Sequence, residues 1–176
     1  MKALILSINL LLMATAPLIF DFSTDTDPAA WRVVDDVVMG GRSDGHFSIN
    51  EAGNGVFAGK VSLENNGGFS SVRHRFEAKP VDEYTHCVIR LKGDGRRYQL
   101  RFKSSLNDAH SYIYYITTSG EWEEITVPLA EMYPTFRGRK LRMPNYPGEQ
   151  LAEIAFLIGN KEAEPFRLEL DYLRLE

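Results

Sequence analysis

The sequence predicts an all-β fold, a single-domain β-sandwich of jelly-roll type. Three observations carry this. Short runs of alternating apolar and polar residues recur at near-regular spacing, bounded by Gly, Pro, Asn and Asp. Helical periodicity is nearly absent. The 176 residues, 44% apolar and 25% charged, suit one domain with a workable core and are too apolar for disorder. About nine or ten strands at this spacing describe a sandwich or jelly roll.

The strands can be taken in order. Leu18 to Phe22 is the first, followed by Gly55 to Leu63 and Phe69 to Phe76. In Tyr84 to Lys92, Cys87, Ile89 and Leu91 share one face. Tyr98, Leu100 and Phe102 alternate with Gln99, Arg101 and Lys103, a half-buried strand with a wet outer face. Between these two, Lys92-Gly93-Asp94-Gly95-Arg96 reads as a hairpin, because Asp-Gly supports the positive φ of tight turns. Ser111 to Thr117 is rich in β-formers, and Trp122 to Val127 alternates again. Pro128 to Tyr133 predicts one or two helical turns with proline at the tolerated first position. Residues 134–150 read as a long loop with four cations, Arg137, Arg139, Lys140 and Arg142. Leu151 to Gly159 and Phe166 to Leu175 close the chain.

Residues 1–16 precede this domain, which is expected over 17–176. Lys2, the apolar run Ala3 to Met13 and the Ala14-Thr15-Ala16 box have the form of a secretory signal, although Pro17 is a poor residue to follow the cut. An apolar segment packed on the domain is the alternative. The expected compartment is therefore extracytoplasmic, periplasmic or secreted, with a cytoplasmic or inner-membrane-associated location as the other option. After residue 20 no run is long and apolar enough to span a bilayer, so no transmembrane span is expected in the mature domain.

Charge and motif content narrow the function. Lys plus Arg number 20 against 24 for Asp plus Glu, a net charge of −4, which gives no general footprint for nucleic acid. The single cysteine, Cys87, precludes an internal disulfide and a multi-cysteine zinc site. It neighbours His86 on a strand, so the two side chains point oppositely and form no catalytic pair. No phosphate-binding loop, nucleophile elbow or zinc-protease motif is present. Asp21, Asp25 and Asp27 could contribute oxygens to a calcium site of the kind that staples jelly-roll loops, but their spacing is not that of an EF-hand loop, and Asp25 and Asp27 are better read as turn and capping residues before Pro28. No catalytic residue, metal or cofactor is expected.

Two segments differ from generic sandwich sequence. The first, Trp31 to Gly45, packs Asp35, Asp36, Met39, Gly40, Gly41 and Ser43 into fifteen residues. The second, Leu63 to Arg73, holds Asn65, Gly67, Gly68, Phe69, Ser70, Ser71 and Arg73. Paired glycines demand a close approach to the backbone or a positive φ. Arg73 is a candidate bidentate partner for Asp35 or Asp36. These residues, with Arg137 from the basic loop, form the candidate binding surface; the alternative is structural turns whose polar groups satisfy one another.

These segments resemble the signature stretches of the complex I intermediate-associated protein 30 family. W-x-V-x-D-D-V-M-G-G-x-S-x-G matches Trp31 to Gly45 with one extra valine, and E-N-x-G-G-F-x-S-x-R matches Glu64 to Arg73. Shorter matches follow in order at Gly93 to Tyr98, Trp122 to Pro128, Phe136 to Gly138 and Pro165 to Glu169. The resemblance covers residues 18–175. It implies a galactose-binding-like sandwich and a non-enzymatic, chaperone-like role in assembly of NADH:ubiquinone oxidoreductase, with respiratory-complex subunits as protein partners. The alternative is a carbohydrate-binding module of the cell envelope, with a glycan ligand and Trp31, Tyr98, Trp122 and Tyr146 as stacking platforms.

Overall fold

A computed structural model describes residues 18–176, and the expected export segment, residues 1–16, lies outside the described residues. Period-two alternation leaves each strand with one apolar face, and two sheets bury those faces against each other. The first sheet joins β3 (Asp44–Ile49), β4 (Gly55–Lys60), β13 (Pro165–Leu175), β6 (His86–Lys92) and β9 (Trp122–Pro128), with β1 (Leu18–Asp21) pairing to β13. The second runs β11 (Arg139–Lys140), β10 (Tyr133–Phe136), β8 (Ser111–Thr117), β7 (Arg97–Lys103), β12 (Gln150–Ile158), β5 (Ser70–Pro80) and β2 (Trp31–Asp35). The pairings described are antiparallel.

The core lies between the sheets. Phe57, Leu91, Leu168 and Leu170 enter it from the first, and Tyr98, Leu100, Phe102, Ile154 and Phe156 from the second; none exposes its side chain. Cys87 is buried among them, and that burial pushes its thiol up to about 12. Trp31 closes one end, stacked on His74 at 5.2 Å between ring centroids, and His74 Nδ1 donates to the Ala30 carbonyl.

Several local expectations need correction. The Lys92 to Arg96 turn does not make a hairpin, because β6 and β7 lie in opposite sheets. Its turn chemistry is real: Gly95 has φ +81°, and the Asp94 carboxylate accepts from Arg96, the Tyr98 hydroxyl and the Arg167 N–H. Those bonds tie the crossover to β13 in the first sheet. The 134–150 stretch is only partly loop. It contains β10 and β11, joined by Arg137-Gly138, both at positive φ (48° and 74°) as a two-residue hairpin with a primed turn requires. The predicted helical turns reduce to a 3-10 turn over Leu129–Glu131. β2 and β3 fall within the Trp31 segment and beyond it, where no strand was expected. Asp27 caps a 3-10 turn by accepting from the Ala29 N–H, in keeping with the capping expectation.

Candidate functional site

The two glycine-rich segments form one structure around one carboxylate. Asp36 is fully buried. One oxygen accepts from the Ser43 N–H at 2.9 Å; the other accepts from the Ser43 hydroxyl at 2.5 Å and the Gly68 and Phe69 N–H groups at 2.6 and 3.2 Å. Burial alone would raise its pKa. The Ser43 hydroxyl and the three N–H donors outweigh it and hold the carboxyl below its ordinary value. A Cβ on Gly41 would lie 2.3 Å from an Asp36 oxygen, and one on Gly67 2.6 Å from the other. Both positions therefore exclude a side chain. Asp35, next in sequence, accepts from the Gly45 N–H and the Ser70 hydroxyl, stitching β2 to the start of β3 and to β5.

This clamp presents a tip. Asp36–Met39 is a single 3-10 turn closed by Gly40 in the left-handed region. Val37, Val38 and Met39 follow the buried acid directly and are 59%, 73% and 64% exposed. Three consecutive apolar side chains are thus held in solvent by a fully bonded carboxylate beneath them.

Beside the tip, a groove of about 900 Å³ crosses the outer face of the second sheet. Strand register lays out the outer face of this sheet in rows. One row runs Arg32, Arg73, Ala155, Arg101, Ile113 and Tyr133 across β2, β5, β12, β7, β8 and β10. The next places Glu153 between Arg75 and Lys103, and Arg75 Nε donates to Glu153 at 2.6 Å. Met39, Gly68 and Phe69 bound one end, and the β10–β11 hairpin supplies Phe136, Arg137 and Lys140. Cations cover the rings here: Arg97 on Tyr115, Lys140 on Tyr133 and Arg137 on Phe136, 4.4–5.3 Å from the ring centroids.

The sequence-predicted residues separate into two groups. Met39, Gly68, Phe69, Arg73 and Arg137 line the groove. Asp35, Asp36, Gly41, Ser43, Gly67 and Ser71 belong to the clamp and its neighbouring ladder, Ser71 donating to the Val34 carbonyl. Asp36, Ser43 and Ser71 are buried and present no surface. Gly40 and Asn65 adopt left-handed backbone at the turns that carry the two segments. Arg73 does not pair with Asp35 or Asp36. It stands on the opposite face of β5, where burial and the Arg75 and Arg32 charges lower its pKa against the pull of Glu153. Trp31, Tyr98 and Tyr146, offered as sugar platforms, are core residues, and Trp122 lies on the other sheet under Arg90. Sequence reasoning missed Gln99, Arg101, Lys103 and Tyr115 as one site. The wet face of β7 was the available signal.

The complex I intermediate-associated protein 30 family matches this chain over residues 20–170. The chain belongs to that family. The mouse protein Complex I intermediate-associated protein 30, mitochondrial, is 24% identical over 186 residues, which covers 92% of this chain and 56% of the mouse protein. The chain thus spans just over half the length of that curated relative. Among solved structures, the family 11 carbohydrate-binding module of a cellulosomal cellulase of Clostridium thermocellum superposes with a TM-score of 0.66 at 13% identity, over 92% of this chain and 94% of that one. The family 11 module from Clostridium thermocellum in complex with a β-1,3-1,4-mixed-linked tetrasaccharide gives 0.60 at 14% identity, over 85% and 92%. An exo-β-agarase gives 0.58 at 13% identity, over 92% of this chain and 25% of that one. At these identities the shared property is the fold, a galactose-binding-like β-sandwich.

Proposed function

We propose that this chain is a non-catalytic, chaperone-like protein-binding module that acts in assembly of a respiratory NADH dehydrogenase complex. The observation that carries the reading is the tip. Contiguous exposed apolar side chains mark contact sites, and Val37, Val38 and Met39 are held out by a clamp that fixes their backbone. Family membership points the same way, since the mouse relative is described as associated with a complex I intermediate. Among the described residues, no helix is long and apolar enough to cross a membrane.

The test is capture from native membranes with the tagged full chain, reading the recovered proteins by mass spectrometry. Subunits of a respiratory NADH dehydrogenase should be recovered, and Val38→Asp should lose them without lowering the melting temperature. Recovery of no such subunit contradicts the proposal. The export-signal reading of residues 1–16 adds an extracytoplasmic compartment. An intact native mass short by those sixteen residues supports it, and a full-length native mass refutes it.

A second reading, a glycan in the groove, is favoured by the placement of a 900 Å³ concavity on the sheet face. Calorimetry against neutral β-glucan oligosaccharides tests it, and absence of heat across the series removes it.

A further inference from the structure

The groove carries a charge pattern that the fold does not need. Arg73, Arg101, Lys103, Arg137 and Lys140 line it, and no carboxylate does, in a chain whose net charge is −4. Arg32 and Arg73 are direct cross-strand partners, a like-charge pairing that costs stability. Arg101 stands in the same row, one strand beyond Ala155. The nearest acid, Glu153, is buried; it is bonded to Arg75, and its single charge is shared among Arg73, Arg101 and Lys103 as well. Neither Arg73 nor Arg101 forms an ion pair with a described residue. Arg73 Nε reaches only Ser71 Oγ at 3.4 Å, and Arg101 donates one bond to Gln99 Oε1 at 2.7 Å. Burial, then the Arg73 charge, pulls the Arg101 guanidinium down to about 10. A guanidinium presents five donors in a planar fork, so most of this donor capacity faces the groove unmatched.

We propose that the groove takes up an acidic segment of the partner polypeptide, with carboxylate side chains seated on Arg73 and Arg101. This rests on the protein-binding reading and names the chemistry of the segment bound. Bidentate carboxylate–guanidinium pairs satisfy the unmatched donors, and arginine clusters are a recurring means of reading acidic motifs. A peptide is favoured over a glycan on two grounds. The rings that would stack on a sugar already carry Arg97, Lys140 and Arg137. Met39 also makes the apolar tip continuous with the groove, which suits a chain bearing both acidic and apolar side chains. The inner strands have their backbone groups paired in the ladder, so recognition falls to side chains.

Fluorescence anisotropy with a labelled octaglutamate peptide, at low and physiological salt, tests the proposal on the full chain. Binding should be detected and should weaken with salt. Arg73→Gln and Arg101→Gln should each weaken it by about tenfold or more, with no fall in melting temperature. Arg167→Gln, on the opposite sheet, should stay within about twofold. Absence of binding, equal loss in Arg167→Gln, or tighter binding of an oligogalacturonate of matched charge each overturns the proposal, the last in favour of an acidic glycan. Membrane capture separates this inference from the reading beneath it. Respiratory subunits kept by the Arg73→Gln/Arg101→Gln double variant but lost by Val38→Asp leave the protein-binding module standing without an acid-reading groove. Groove-dependent octaglutamate binding with no respiratory subunit captured leaves the groove standing without the assembly role.

Discussion

Asp36 accepts three backbone N–H groups and a hydroxyl while excluded from solvent, so hydrogen bonding there must outweigh the cost of burying a charge. Removing the carboxylate strands those donors. Asp36→Ala should cost about 3 kcal/mol or more, read as a lowered urea midpoint. The pH dependence follows from the lowered pKa. The group's contribution is complete above the ordinary value of 3.8 and is lost as pH falls through the lower folded value. Acidification from pH 5 to pH 2 should therefore destabilise the native chain more than Asp36→Asn, which starts less stable and has no such proton to take up. Gly41→Ala should cost about 1–3 kcal/mol by overpacking, because its Cβ would meet the carboxylate. Gly40 has open space and only its φ of +91° to defend, so Gly40→Ala should cost less. The paired acids and paired glycines were legible in the sequence as unusual. Their joint purpose was not, because Gly68 reaches Asp36 across 32 residues of chain and only the folded pairing of β2 with β5 brings them together.

At the scale of the element, β7 separates two jobs on its two faces. Phe102 is fully buried in the core, whereas Arg101 looks into the groove. Phe102→Ala should cost about 3–5 kcal/mol in a denaturation series, and Arg101→Gln should stay within about 0.5 kcal/mol. A large loss from Arg101→Gln would mean that the row of arginines is scaffold. Alternation made both faces of β7 readable from sequence. Alternation does not name a strand's neighbours, which is why an Asp-Gly turn with correct local geometry was mistaken for a hairpin. β11 is two residues long, too short for any period, and so the basic loop hid the groove's rim.

Across the whole molecule, the sandwich sets a net-acidic body behind a cationic groove and an apolar tip on one sheet. The opposite face, built on β3, β4, β13 and β6, carries ion pairs between its own residues, such as Arg90 with Asp171 and Arg167 with Glu169. In the groove, Arg73 and Arg101 form no such pair with a described residue. The account predicts one contact face. Cross-linking mass spectrometry on the respiratory assembly complex captured by the full chain tests this most directly. Cross-links from the partner should concentrate at Lys103 and Lys140, around the groove, and be sparse at Lys60 and Lys92 on the other sheet. The reverse distribution would contradict the account, because it would put the partner on the sheet away from the groove and the tip.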